Sequence, residues 1–164
     1  MKRDRILQYF GAASGLVAAV LMFSAGIIND IEVDAVSSSS AIAAAIIDSQ
    51  QEVLFGTYLL MLGVFFFIFF IGYLRGEASG QRVEAHWLSR TVFGAGLVGC
   101  AMLLLSAHFG QSLTILSSYG NETQVAKSLY LLDWNWYLLV EAIPIAVFIG
   151  ANSINGLFND VWPR

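Results

Sequence analysis

VLFGTYLLMLGVFFFIFFIGYL, residues 53–74, decides the fold. From Val64 to Ile71 the run is apolar on every side. Strands of membrane barrels alternate apolar and polar residues over about 10 positions, and this stretch does not. An α-helix rises about 1.5 Å per residue, so roughly 20 apolar residues cross a ~30 Å hydrocarbon core. The stretch therefore reads as a transmembrane helix.

Three further runs qualify in the same way: Tyr9 to Ile28, Thr91 to Phe109 and Leu132 to Ser153. Of the 164 residues, 57% are hydrophobic and 12% charged, whereas a soluble domain carries about 25% charged residues. No polar linker separates the runs, so residues 1–164 read as one domain. The expected fold class is all-α, a polytopic membrane protein built as a four-transmembrane-helix bundle. Met1-Lys-Arg-Asp-Arg5 ahead of an apolar run has the look of a signal peptide. The run is longer than the usual ~7–15 residues, and Phe23 is too large for a cleavage pattern before Gly26, so it is expected to stay as the first span.

Charge sets the orientation. Of the 8 basic residues, Lys2, Arg3, Arg5, Arg75, Arg82, Arg90 and Arg164 fall on one side of the four spans, and Lys127 alone on the other. The positive-inside rule makes the first side cytoplasmic, with both termini there. Asp30, Glu32, Asp34, Asp48, Glu52 and Glu122 then lie outside, and Trp134, Trp136 and Tyr137 form the outer aromatic belt. The location expected is the inner or plasma membrane. A net charge of −4 argues against nucleic acid as a partner, which selects a basic stripe. One cysteine, Cys100, excludes an internal disulfide and a cysteine-based zinc site.

The outer connections carry helical patterns of their own. Ser37 to Ser40 offers several N-caps, and Ala41 to Val53 follows with Ile42, Ile46 and Val53 near one face. No Pro or Gly intervenes before Gly56, so one helix from Ser40 to Leu74, about 52 Å long, is predicted. Asn121-Glu-Thr-Gln124 resembles a capping box that starts the last helix early, and Ser117-Ser-Tyr-Gly120 reads as the turn before it. Helices 2–4 are thus expected to extend beyond the outer face. Asn121-Glu-Thr123 also matches a glycosylation acceptor, although capping accounts for it without sugar.

Small residues four apart let helices approach closely in lipid. Gly11, Gly15 and Ala19 have that spacing in the first span, Ala95 and Gly99 in the third, and Ala142, Ala146 and Gly150 in the fourth. They point to a tight bundle or a seam between copies. Phe65, Phe66, Phe67, Phe69 and Phe70 cover all faces of the second span. Their bulk meets lipid or a partner on the plain reading, and lines a pigment or quinone groove on the sharper one.

Few polar residues enter the spans. Glu141 stands well inside the fourth, and an intramembrane carboxyl marks a functional site by default. Pro144 frees a backbone carbonyl in the turn before it, so a protonated Glu141 capping that carbonyl is an equally good structural reading. If the third and fourth spans fold back about residues 120–121, His108 faces Asp133 and Cys100 faces Glu141. His108 with Asp133 would form an outer-interface pair able to titrate near neutral pH; the plain alternative is a histidine among headgroups and water. His86 lies on the cytoplasmic side, which excludes haem ligation by two histidines across the bundle. No metal site or cofactor is expected.

Leu54-Phe-Gly-Thr-Tyr-Leu-Leu60, the aromatic run to Tyr73-Leu-Arg75, Leu131-Leu-Asp133, Pro144 and Trp162-Pro-Arg164 resemble a family of multi-pass bacterial membrane proteins known only as a domain of unknown function. The resemblance rests on hydropathy and small motifs across most of the chain. It implies two more helices after the Pro-Arg, so this chain is expected to be a shorter relative or a piece. It implies no active-site residues.

With no nucleophile–base pair or metal cluster in view, the expectation is a non-enzymatic membrane subunit. Its partners would be lipid and either copies of itself or other membrane subunits. The alternative is a small proton-linked transporter or channel using Glu141.

Overall fold

The structure, a computed structural model, describes residues 2–29, 31, 33–34, 36–78, 85–118, 123–135 and 140–158. The Asn121 cap with Glu122, the turn residues 119–120, Asp30, Glu32, Arg82, Trp136, Tyr137 and Trp162 to Arg164 lie outside those residues. So do the side chains of His86 and Trp134.

All the regular structure described is helical: α1 (Lys2–Ile28), α2 (Ser39–Asp48), α3 (Gln50–Ala78), α4 (Ala85–Ser118), α5 (Thr123–Asn135) and α6 (Ala142–Phe158). Three helical stretches are long and apolar enough to cross a membrane, Ile6–Ile28, Gln50–Gly76 and Trp87–Ser118. The apolar stretch of α6, Ala142–Leu157, is shorter.

Local chemistry sets several boundaries. Ser38 is the N-cap of α2, its hydroxyl accepting from the Ala41 N–H at 3.2 Å. The single helix expected from Ser40 to Leu74 is instead divided at Ser49, whose ψ of 14° leaves the helical range. The hydrogen-bond ladder still passes through it, with the Ser49 N–H on the Ala45 carbonyl and the Val53 N–H on the Ser49 carbonyl, both at 3.0 Å. Asp48 and Ser49 are short polar residues that compete with helical backbone bonds. The result is a bend. It directs Ile42 and Ile46 into a cluster with Leu113 of α4 and Ala126 of α5.

The long helices pack as a row: α1 on α3, α3 on α4, and α4 on α6. Among the described residues, α1 and α6 make no comparable contact. Glycines set the α1–α3 distance. A Cβ on Gly11 would lie 2.6 Å from the Tyr73 side chain, and one on Gly15 would lie 2.5 Å from the Phe70 ring. In the other direction, a Cβ on Gly63 would lie 2.6 Å from Met22 Cγ, and one on Gly56 would collide with the Asn29 amide. Each pair places a glycine of one helix under a large side chain of the other. The residue numbers in each pair sum to nearly the same value, as antiparallel helices in one register require. Below this seam, Val64, Ile71 and Cys100 form a buried cluster with Phe67, Phe93 and Phe148 around it, and the Arg75 guanidinium sits 4.5 Å from the Phe93 ring centre.

At the far end of the row, α5 holds the segment between α1 and α2. Lys127 Nζ donates to the Ser37 carbonyl at 2.7 Å, and the Tyr130 hydroxyl donates to the Val33 carbonyl at 3.0 Å. Tyr130→Phe removes that donor and leaves a half-buried carbonyl unpaired. It is expected to cost about 1 kcal/mol of stability, measurable by thermal unfolding in detergent; an unchanged midpoint would mean that this contact does not hold the segment.

Candidate functional site

Where α1, α3, α4, α5 and α6 converge, at the end of the row away from the N terminus, they border a half-open cavity of about 550 Å³. Each long helix offers one stripe at helical spacing: Met22, Ala25, Gly26 and Asn29 from α1; Val53, Thr57 and Leu60 from α3; Leu103, Ser106, Ala107, Gly110 and Leu113 from α4. Tyr130 and Asp133 come from α5, and Glu141 and Ile145 from the start of the last helical segment. The walls are mostly aliphatic. The polar groups are two carboxyls, one amide and three hydroxyls, and among the described residues no basic side chain lines the cavity.

Glu141 is 1% exposed, and neither of its carboxyl oxygens has a hydrogen-bond partner among the described residues. Ser106 stands beside both carboxyls and donates its hydroxyl to Asp133 Oδ1 at 2.9 Å. The Asn29 amide oxygen is likewise buried and unpaired. Thr57 is 2% exposed, and its hydroxyl is packed against Gly110. Other hydroxyls nearby are satisfied within their own helices, as with Thr114, which donates to the Gly110 carbonyl at 2.6 Å. Of the four buried polar atoms without a partner among the described residues, three belong to cavity-lining residues, and the fourth is Ser117 Oγ.

Local backbone structure fixes where Glu141 stands. Val140 and Glu141 form a wide, π-helical turn that leads into α6. Pro144 has no N–H for the Val140 carbonyl, and its ring crowds that oxygen, which widens the turn. The cap expected from Glu141 onto the freed carbonyl is not formed, because both Glu141 oxygens lack partners among the described residues.

The two pairs expected across the hairpin differ from those observed. His108 is exposed, and Asp133 pairs with Ser106. Cys100 is buried with Val64 and Ile71 rather than set against Glu141. The register is displaced by two residues, and two residues turn a helix by about 200°, which sends His108 to the opposite face. Asn29, Thr57 and Ser106 were missed from sequence. The signal was present as one polar residue on the cavity stripe of each long helix.

The remaining residues singled out from sequence fall into separate places. Gly11 and Gly15 lie in the α1–α3 seam, while Ala19 is exposed. Gly99 is buried beside Ile145 and Ala95 is half-buried. Ala142, Ala146 and Gly150 are exposed along α6, and a Cβ on Gly150 would meet nothing within 4 Å among the described residues. Phe65 and Phe69 are exposed and meet edge to face with centroids 5.1 Å apart, whereas Phe66 is half-buried against Phe65. Phe67 reaches Phe148 at 5.4 Å and Phe70 covers Gly15. The rings thus splay around α3. The crevice beside Phe67, about 30 Å³, holds nothing larger than a water molecule.

Among the described residues no group of three or more His, Cys, Asp and Glu side chains stands close enough to hold a metal ion. No family model, curated protein or solved structure matches the chain, so the resemblance to the bacterial membrane family adds no functional inference to the geometry.

Proposed function

We propose that this chain is a non-enzymatic, four-span protein of the inner or plasma membrane that acts as a small proton-linked transporter, with Glu141 as its working carboxyl. Both termini are cytoplasmic on this reading, and α6 with the residues before it makes the fourth crossing. The observation that carries it is the buried, unpartnered Glu141 in a cavity that also holds Asp133. A carboxyl inside a membrane is costly and persists where it handles charge. The cavity's volume of about 550 Å³ is in the range of small-molecule sites, about 300–1,000 Å³. At about 51 Å for its 34 residues, α4 is longer than the hydrocarbon core, which supports an extension past the outer face together with α2 and α5.

Reconstituted into vesicles with a trapped pH dye, the wild-type chain is expected to dissipate an imposed pH gradient several-fold faster than empty vesicles. Glu141→Gln is expected to return the rate to that of empty vesicles. A wild type no faster than empty vesicles, or a variant as fast as wild type, would sink this reading.

One specific observation favours a second reading, a subunit that packs against itself or a larger membrane complex. The small-residue stripe Ala142, Ala146, Gly150 is exposed on an edge helix of the row. Mass measurement after mild-detergent purification tests it: a defined oligomer or a stable partner supports it, and a lone monomer counts against it.

A further inference from the structure

We propose that the cavity binds a primary ammonium group between Glu141 and Asp133, carried by a small alkylamine or by a phosphatidylethanolamine headgroup. This deepens the reading of Glu141 as the working carboxyl and rests on it.

Both Glu141 oxygens and the Asn29 amide oxygen are buried without partners among the described residues, and both residues line one cavity. Buried acceptors without donors are costly, and such groups in native proteins call for an explanation. Asp133 differs, because Ser106 donates to it at 2.9 Å and so fixes its position. Among the described residues, the donors that line the cavity leave the Glu141 oxygens unpaired, and no lysine, arginine or histidine lines it to supply a further donor and a positive charge.

A primary ammonium supplies both: one positive charge and three N–H donors on a single atom. These donors match the two carboxyls, Glu141 and Asp133, and charge-assisted bonds to carboxylates are the stronger kind. A quaternary ammonium has the charge without the donors, and an alcohol has a donor without the charge. The aliphatic walls, Met22, Leu60, Leu103 and Ile145 among them, suit an apolar body attached to the ammonium. Two carboxylates facing one monovalent cation leave one negative charge, which a proton bound alongside the amine balances.

The test uses the full chain in detergent and in phosphatidylcholine nanodiscs, with hexylammonium as probe and calorimetric titration as readout. Hexylammonium is expected to bind saturably at one per chain. Hexanol and hexyltrimethylammonium, which enter micelles but lack the charge or the N–H donors, are expected to bind at least 10-fold more weakly. Glu141→Gln and Asp133→Asn should each weaken the amine at least 10-fold. Leu103→Trp, which alters no polar group, fills the cavity and should abolish binding. Folding of each variant is checked by circular dichroism and size exclusion, so a variant that fails to fold is replaced by the next. Nanodiscs containing phosphatidylethanolamine separate the two sources. Weaker hexylammonium binding there identifies the headgroup, and unchanged binding identifies the soluble amine. Equal binding of hexanol, or undiminished binding in every folded variant, overturns the proposal. Amine binding without proton flux defeats the transporter reading alone, and proton flux without amine binding defeats this one alone.

Discussion

Gly63→Leu is expected to destabilise the protein by about 2–3 kcal/mol, the upper part of the range for overpacking a filled interior. A Cβ at that position lies 2.6 Å from Met22 Cγ, 3.3 Å from the Met22 backbone nitrogen and 3.4 Å from the Ala18 carbonyl oxygen. The methionine side chain has room to rotate away. The α1 backbone does not, so a leucine has to move α1 off α3 as a body. That movement also lifts Phe70 and Tyr73 away from Gly15 and Gly11, because all four contacts belong to one antiparallel register. Gly72 is the control. It lies on the same helix with nothing within 4 Å of an added Cβ, so Gly72→Ala should be neutral or gain up to ~1 kcal/mol from helix propensity. Thermal or denaturant unfolding in detergent, followed by tryptophan fluorescence, compares the two. If both substitutions move the midpoint equally, the seam is not held by glycine contact.

The second large effect has the opposite sign. Glu141→Leu is expected to stabilise the folded chain by about 1–3 kcal/mol, the penalty for a buried polar group left without partners, while abolishing proton flux. The side chain is 1% exposed, both its oxygens are unpaired, and its cavity has aliphatic walls ready to accept a branched apolar group. A residue retained only for structure behaves differently: its removal breaks bonds, and stability falls. Loss of function together with gained stability is the usual trade at sites built for activity. Destabilisation by more than about 1 kcal/mol would mean that the carboxyl holds the fold through contacts outside the described residues.

How far the sequence carries depends on the kind of information asked of it. The stretch from Val53 to Leu74 announces a membrane-spanning helix because length and hydropathy are one-dimensional properties, and α3 runs through it. Facing is two-dimensional and harder to read. Gly11 and Gly15 were visible as a close-packing stripe, but the same spacing picked out Ala142, Ala146 and Gly150, which are exposed. Spacing says that a narrow stripe exists, and not whether a neighbour lies in front of it. Gly56 and Gly63, the matching positions on α3, are seven apart and escape a search for intervals of four. Register across a hairpin is harder still. A two-residue displacement exchanged His108 for Ser106 as the partner of Asp133, since each residue turns the helix by about 100°. The cavity needs all of this at once. Asn29, Thr57 and Ser106 become a site only when five helices are set beside one another.

The row of long helices also bears on how the molecule is made. Spatial order follows chain order: α1 meets α3, α3 meets α4, and α4 meets α6. Each long helix that leaves the ribosome therefore finds its main neighbour already in place, and no early helix waits for one near the C terminus. Assembly from adjacent contacts avoids the slow closure of long loops and shortens the time for which unpaired surfaces are open to wrong partners. The site is the exception. It is completed last, when Glu141 and Ile145 arrive and α6 closes on α4.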